Sequence, residues 1–354
     1  MRRLSRIAAA GIATAALAVS VTACGGTSSD AAADKDKGGD SKAKGLALAY
    51  DVGGRGDQSF NDAAHAGMAK AEQDFKLTGK DVEPTDGESD ADKVARLDQL
   101  AKQGYNPVIG VGFAYAPAIK EVAAKHPKTT FGIVDDETVQ EKNVADLVFH
   151  EEQASYLAGI AAAMTSKSDH IGFVGGVDVP LIHKFEAGYV QGAQSVNPKI
   201  KIEKQYLTEK AEDGGFSSPN LGKEAAKGQI DKGADVVYAA AGLSGQGVIE
   251  AAAAADKWAI GVDSDQYNQK PLAKYKDHIL TSATKDVAGA VYNLVKSVRD
   301  GKPATGVVRA DLGSDGVGLA DSNPEFKGDA KLQKAIEKAK ADIAAGKIKV
   351  KTTS

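Results

Sequence analysis

Three aspartates in this sequence share one kind of position. Asp51, Asp135 and Asp263 each follow directly on an apolar run, LALAY, FGIV and AIGV respectively. A carboxylate at the end of a buried strand can accept hydrogen bonds from a polyhydroxyl molecule or from the edge of a heterocyclic base. Phe60 and Phe216 sit in stretches of low hydrophobicity, where a ring either stacks on a planar ligand or packs beneath its own loop. Asn61, beside Phe60, offers a donor and an acceptor together. Lys285 stands just ahead of a helical pattern. It reads as a solvated lysine, as a partner for a ligand hydroxyl, or as a group that holds an aspartate in place.

Covalent chemistry has less to build on. There is no GxSxG elbow and no Walker lysine, and no nucleophile stands out beside a base, so an enzyme is not expected. The six histidines form no HExxH or paired arrangement. Asp263-Ser264-Asp265 opens like a calcium loop, but Tyr267 and Gln269 break the acidic spacing. Gly110-Val111-Gly112 lacks the third glycine of a dinucleotide fingerprint. Neither a metal nor a cofactor is expected.

The elements that must position these residues alternate regularly. Residues 46–50 are apolar and easily extended, the glycines at 53, 54 and 56 mark a loop, and apolar residues then recur at three and four from Phe60 to Phe75. Ser59 with Asp62 three residues on predicts a capping box at that helix start. Helical patterns follow at 91–102, 117–124, 156–164, 221–232, 248–256, 287–298 and 330–344, with apolar strands at 108–113, 130–134, 171–174, 235–239 and 258–262 between them. The helix containing Phe185, Gly188 and Gly192 carries small residues where another element can approach closely. Residues 200–207 and 278–282 read as extended, and alternation over 347–351 predicts an edge strand with its lysines in water. Strand and helix alternation of this kind builds parallel sheets covered on both faces. Two similar halves, divided near 148–155, predict two lobes across a cleft, with ligand groups on the loops that leave the strands.

At 354 residues the chain is long enough for two such lobes, and its formal charge of −4 gives no reason to expect nucleic acid as a partner. Arg2, Arg3 and Arg6 precede an apolar run over 7–21 that is too short for a membrane span and reads as a secretory signal. Val21-Thr22-Ala23-Cys24 looks like a bacterial lipobox, with Cys24, the only cysteine, as the lipidated first mature residue. Residues 25–45 are small, polar and charged, and predict a disordered tether.

Several blocks taken together resemble the basic membrane protein family of bacterial lipoproteins, the nucleoside-binding components of ABC importers. They are DVGGRGDQSFND, VIGVGFAYAPAIKEVAAKHP with FGIVDD, FHEEQASYLAGIAAAM, IGFVGGVDVPLIHKFEAGYVQGA, AAGLSGQGVIEAA and AIGVDSDQ, in order over nearly all of the mature chain. The resemblance implies an α/β chain with the type I periplasmic-binding-protein fold: two Rossmann-like lobes, a hinge and a ligand enclosed in the interlobe cleft. It implies a signal peptide at 1–23, a tether at 24–45, a first lobe from 46–148 and 266–298, and a second from 149–265 and 299–354. Phe60 and Phe216 would sandwich a purine base and Asp135 would hydrogen-bond it. Asn61, Asp263 and Lys285 would hold ribose hydroxyls, backbone around Gly245 would close the site, and Asp51 would support its centre. The implied partners are a nucleoside and ABC permease subunits, with membrane contact through the N-terminal lipid on the extracytoplasmic face and the receptor acting as a monomer. A sugar or other small-metabolite receptor or sensor of the same fold, and a nucleoside-processing enzyme, stand as alternatives.

Overall fold

The computed structural model describes residues 44–353, apart from residue 86. Cys24, the signal segment and nearly all of the predicted tether lie outside the described residues. No helix among the described residues is long and apolar enough to cross a membrane.

The described chain runs β1 (Ala47–Ala49), α1 (Phe60–Phe75), β2 (Lys80–Val82), α2 (Asp90–Lys102), β3 (Val108–Val111), α3 (Ala116–Lys125), β4 (Phe131–Val134) and β5 (Val144–Phe149). It continues with α4 (Glu151–Thr165), β6 (His170–Val177), α5 (Pro180–Val196), β7 (Lys201–Thr208), α6 (Pro219–Asp231), β8 (Val236–Ala240), α7 (Gly245–Ala254) and β9 (Trp258–Asp263). Last come β10 (Ile279–Lys285), α8 (Val287–Arg299), β11 (Gly306–Ala310), β12 (Val317–Leu319), α9 (Pro324–Gly328) and α10 (Ala330–Ala344).

Two six-stranded sheets organise these elements, in the orders β11-β5-β4-β3-β1-β2 and β12-β10-β9-β8-β6-β7. The first is parallel throughout, and only β12 runs antiparallel to its neighbour in the second. β1, β3, β4, β5, β6 and β8 are buried along their whole length, as expected of strands covered on both faces.

The sheets divide the chain at points other than those expected. Ile279–Lys285 pairs with β9 and belongs to the second sheet, and Gly306–Ala310 extends the first by pairing with β5. α8 lies with the first lobe, where the carbonyl of Ala288 sits only 2.3 Å from the place a Cβ on Gly67 would occupy. The chain therefore crosses between the lobes at residue 150, at Asp286 and at 311–316. The crossings are tied together: His150 N donates to Ala310 O at 2.9 Å, and Asp286 N to Gly316 O at 2.9 Å. Pairings between strands more than a hundred residues apart leave no local pattern to read, which is why these boundaries moved.

Close helix packing at the small residues of α5 holds as expected. A Cβ on Gly192 would lie 1.9 Å from Tyr156 O, and one on Gly188 2.2 Å from Glu152 O, both on α4. The segment 347–351 forms no strand. Gln191 of α5 binds it instead, accepting from Lys351 N at 2.7 Å and donating to Lys349 O at 3.2 Å. The alternation survives in burial, for Ile348 and Val350 pack on the core while the lysines are exposed.

The capping box expected at Ser59 is also absent, although Ser89 forms one with Asp92 at the start of α2 from the same S-x-x-D pattern. At α1 the carboxylate of Asp57 takes over, accepting from the backbone N–H groups of Ser59, Asn61 and Asp62 at 2.7–3.1 Å. The hydroxyl of Ser59 is engaged elsewhere.

Candidate functional site

In parallel sheets the carboxyl ends of the strands and the loops leaving them form one rim. Here the rims of the two sheets enclose a cavity. Asp51, Phe60, Asn61, Asp135, Phe216, Asp263 and Lys285 all line it. Gly245 does not. It begins α7 one turn beyond the rim, and Ala240, Ala241 and Gly242, at the end of β8, take the expected place.

Each side chain is placed by its local backbone. Asp135 and Asp263 terminate β4 and β9 in the left-handed region, at φ 68° and 62°, a conformation Asp adopts more readily than most residues. Asp263 pairs in register with Thr284, which sets its carboxylate beside Lys285 at the end of β10. Asn61, in the first turn of α1, accepts from Asp51 N at 3.2 Å through its Oδ1, which leaves its amide N–H2 to offer to a ligand. Asp51 in turn accepts from Val52 N at 2.8 Å.

The electrostatic centre is Lys285. Its Nζ donates to Asp135 Oδ2 at 2.5 Å and lies 3.5 Å from Asp263 Oδ1. It also stands over three rings, 4.7 Å from the centroid of Phe60, 5.4 Å from Phe149 and 5.5 Å from Phe185. Lys285 is only 5 % exposed, so it is no solvated lysine but a group that holds two aspartates in place. Burial by itself would lower its pKa; the facing carboxyls of Asp135, Asp263 and Glu151 outweigh that and hold it above the ordinary lysine value.

The acids around it are strongly shaped by burial, which disfavours their charged forms. Burial pushes Asp51 up to about 7 and Asp57 up to about 6, the latter against the pull of three backbone N–H groups. Glu151, at the first position of α4, is pushed up to about 8 by burial and by Asp135, with Lys285 and Lys184 acting the other way. Asp135 Oδ1 is buried with no hydrogen-bond partner, an acceptor that a ligand donor can satisfy.

The rings come from opposite lobes. Phe60 opens α1, whereas Phe216 precedes α6 and lies against the end of β6, its Cδ1 2.4 Å from where a Cβ on Gly176 would stand. Sequence reasoning missed Asp57, Phe113, Leu181, Ile182 and Phe185, which also line the cavity. Phe113 follows β3 and Phe185 lies in the second turn of α5 after β6, so the rule that nominated Phe60 would have found both had it been applied to every strand. Among the described residues no group of three or more His, Cys, Asp or Glu side chains is arranged to hold a metal ion. What the cavity offers is ring faces, a buried ammonium and several carboxylates.

The chain is 36 % identical over 321 residues to the ABC transporter nucleoside-binding protein BmpA of Lactococcus lactis subsp. cremoris, covering 86 % of this chain and 88 % of the relative. It is 33 % identical over 288 residues to basic membrane protein D of Borreliella burgdorferi, covering 79 % and 80 %. Among solved structures, an ABC transporter solute-binding protein from Aeropyrum pernix K1 superposes with a TM-score of 0.75 at 27 % identity, over 88 % of this chain and 94 % of that one. The fold is the type I periplasmic-binding-protein fold. A family model described as ABC transporter substrate-binding protein PnrA-like matches residues 45–353, and the chain belongs to that family of importer solute-binding proteins.

Proposed function

We propose that this solute-binding protein captures nucleosides, purine nucleosides above all, and presents them to an ABC permease while tethered to the extracytoplasmic face of the membrane through lipid on Cys24. The observation that carries the reading is the pairing of ring-bearing walls from both lobes with a polar centre at one side of the same cavity. Phe60 and Phe216 offer flat faces, and Phe113 and Phe185 add to the apolar wall. Asn61, Asp135, Asp263 and Lys285 supply the donors and acceptors that a ribose and a base edge require. A buried hydroxyl left without such partners would cost more than it contributes, so the two kinds of wall suit one amphiphilic ligand. The Lactococcus relative, a nucleoside-binding protein of an ABC transporter, supports the same class.

Capture works by closure. Side chains from both lobes meet on one ligand, so binding favours the closed arrangement, and the permease reads that arrangement. Calorimetry against adenosine, guanosine, inosine, cytidine, uridine and free ribose, on protein unfolded and refolded to remove any carried ligand, tests the reading. Binding of at least one purine nucleoside well above ribose is expected. Ribose binding as tightly as its nucleosides would favour a sugar receptor, and no binding by any of them would overturn the proposal.

A further inference from the structure

Among the described residues five hydrogen bonds join the lobes directly at the loop between β1 and α1, one of them a longer contact from Ser59 Oγ to Val262 O at 3.3 Å. Ser59 Oγ donates to Asp263 Oδ2 at 2.6 Å. Ser264 Oγ donates to Ser59 O at 2.9 Å, Gln266 Nε2 to Gln58 O at 3.1 Å, and Gln246 Nε2 to Gly56 O at 3.0 Å. Three backbone carbonyls of one short first-lobe loop are thus gripped by side chains of the second lobe, while the loop's own hydroxyl grips back. None of Ser59, Ser264, Gln266 or Gln246 lines the ligand cavity.

We propose that Ser59 is a positioning residue: its hydroxyl, carried by the first lobe, holds Asp263 of the second, and the loop it ends is a latch that secures closure from outside the cavity. The local structure is arranged for this and not for the helix. Ser59 is fully buried and occupies the N-cap position, yet it makes no capping bond; Asp57 caps α1 in its place and frees the Ser59 hydroxyl to reach across. The latch has two effects on the ligand site. It fixes Asp263 by one oxygen, leaving Oδ1 to Lys285 and the ligand. It also makes opening cost protein–protein hydrogen bonds in addition to ligand contacts, so escape is slowed more than entry. Gln266 is itself held, accepting from Val262 N at 3.1 Å while its own N–H donates to Ser282 Oγ at 3.1 Å, so its reach to the first lobe is preset by β9 and β10.

This deepens the capture reading and rests on it only for the choice of probe. The test uses the full chain in detergent micelles, with Cys24→Ser throughout and spin labels on Asp90→Cys and Glu212→Cys, exposed residues that line one groove at the mouth of the cleft. Two backgrounds are compared with the parent, Ser59→Ala and the double variant Gln246→Ala with Ser264→Ala, which touches nothing in the cavity. A longer inter-label distance is expected in both without ligand. Inosine should leave about ten-fold faster with little change in its association rate, the scale set by losing one or two net hydrogen bonds. Ser59→Thr, which keeps the hydroxyl, should restore the parent's behaviour. A lowered melting temperature with unchanged distances and dissociation rates would overturn the latch, as would a double variant indistinguishable from the parent. If the parent takes up no inosine, the nucleoside reading fails, and the inter-label distances alone still decide for or against the latch.

Discussion

Lys285 Nζ and Asp135 Oδ2 are 2.5 Å apart, although the lysine ends a strand of the second sheet and the aspartate ends a strand of the first. The ion pair therefore spans the lobes at the inner end of the cavity, with Asp263 and Glu151 adding further acid around one ammonium. Removing that ammonium leaves buried carboxylates uncompensated. Lys285→Met is expected to lower folding stability by about 3–5 kcal/mol and to abolish measurable ligand binding. Urea titration and calorimetry check both; a variant that folds and binds as well as the parent would show that the pair is not central.

The two rings should contribute separately from the polar centre. Phe216→Ala and Phe60→Ala are each expected to weaken nucleoside binding by about 1–3 kcal/mol, the scale of one base stacked on one ring. Affinity for free ribose should change much less. Paired titrations of inosine and ribose read the difference.

Asp263→Ala removes a charged, buried acceptor and is expected to weaken ribonucleosides by about 2–5 kcal/mol. A 2′-deoxynucleoside should lose less on the same substitution, because part of the contact is already missing from the ligand. Equal losses for both would place Asp263 away from the sugar.

The raised acids fix a pH dependence. Asp51 is pushed up to about 7 from its ordinary value of 3.8, and Glu151 to about 8 from 4.5, so the folded chain holds more protons than the unfolded one between those limits. Stability then falls as pH rises through the window, at about 1.4 kcal/mol for each unit of raised pKa. Below about pH 4 both states are protonated and the effect vanishes. Relative to the parent, Asp51→Asn should gain stability from pH 4 to about 7 and Glu151→Gln up to about 8, read as urea midpoints at pH 5 and pH 8. Variants that track the parent at both pH values would contradict the buried-acid account.

Where helices touch, there is no room to grow. Gly192→Ala would bring a methyl to 1.9 Å from Tyr156 O, and the overpacking is expected to cost about 1–3 kcal/mol of stability. Thermal melting would show it, and a variant as stable as the parent would mean that α5 can move off α4 freely.

Much of this was legible before any coordinates. Strand-end aspartates at 51, 135 and 263 all reach the cavity, because in a parallel sheet the end of an apolar run is also the rim of the cleft. The small residues of α5 announced their close approach for a local reason too, since spacing alone puts Gly188 and Gly192 on one face. What escaped reading was non-local. Spacing alone favours a solvated Lys285 over one that holds an aspartate, and the pairing of β10 with β9 decides between them; Ser59 takes the N-cap position, but its hydroxyl goes to Asp263, 2.6 Å away. The same S-x-x-D pattern capped α2 and not α1, so the deciding partner lay 204 residues away. Boundaries between the lobes failed for the same reason at Ile279–Lys285 and Gly306–Ala310, short strands whose sheet is chosen by neighbours distant in sequence.

The most direct test of nucleoside capture is native mass spectrometry of the compact unit Lys42–Ser354 as purified, and again after unfolding, refolding and addition of mixed nucleosides and pentoses. The account predicts one bound mass per chain, equal to a purine ribonucleoside, recovered after refolding and lost in the Phe216→Ala variant. A bound pentose in its place, or no mass acquired from the mixture by a folded sample, would contradict it.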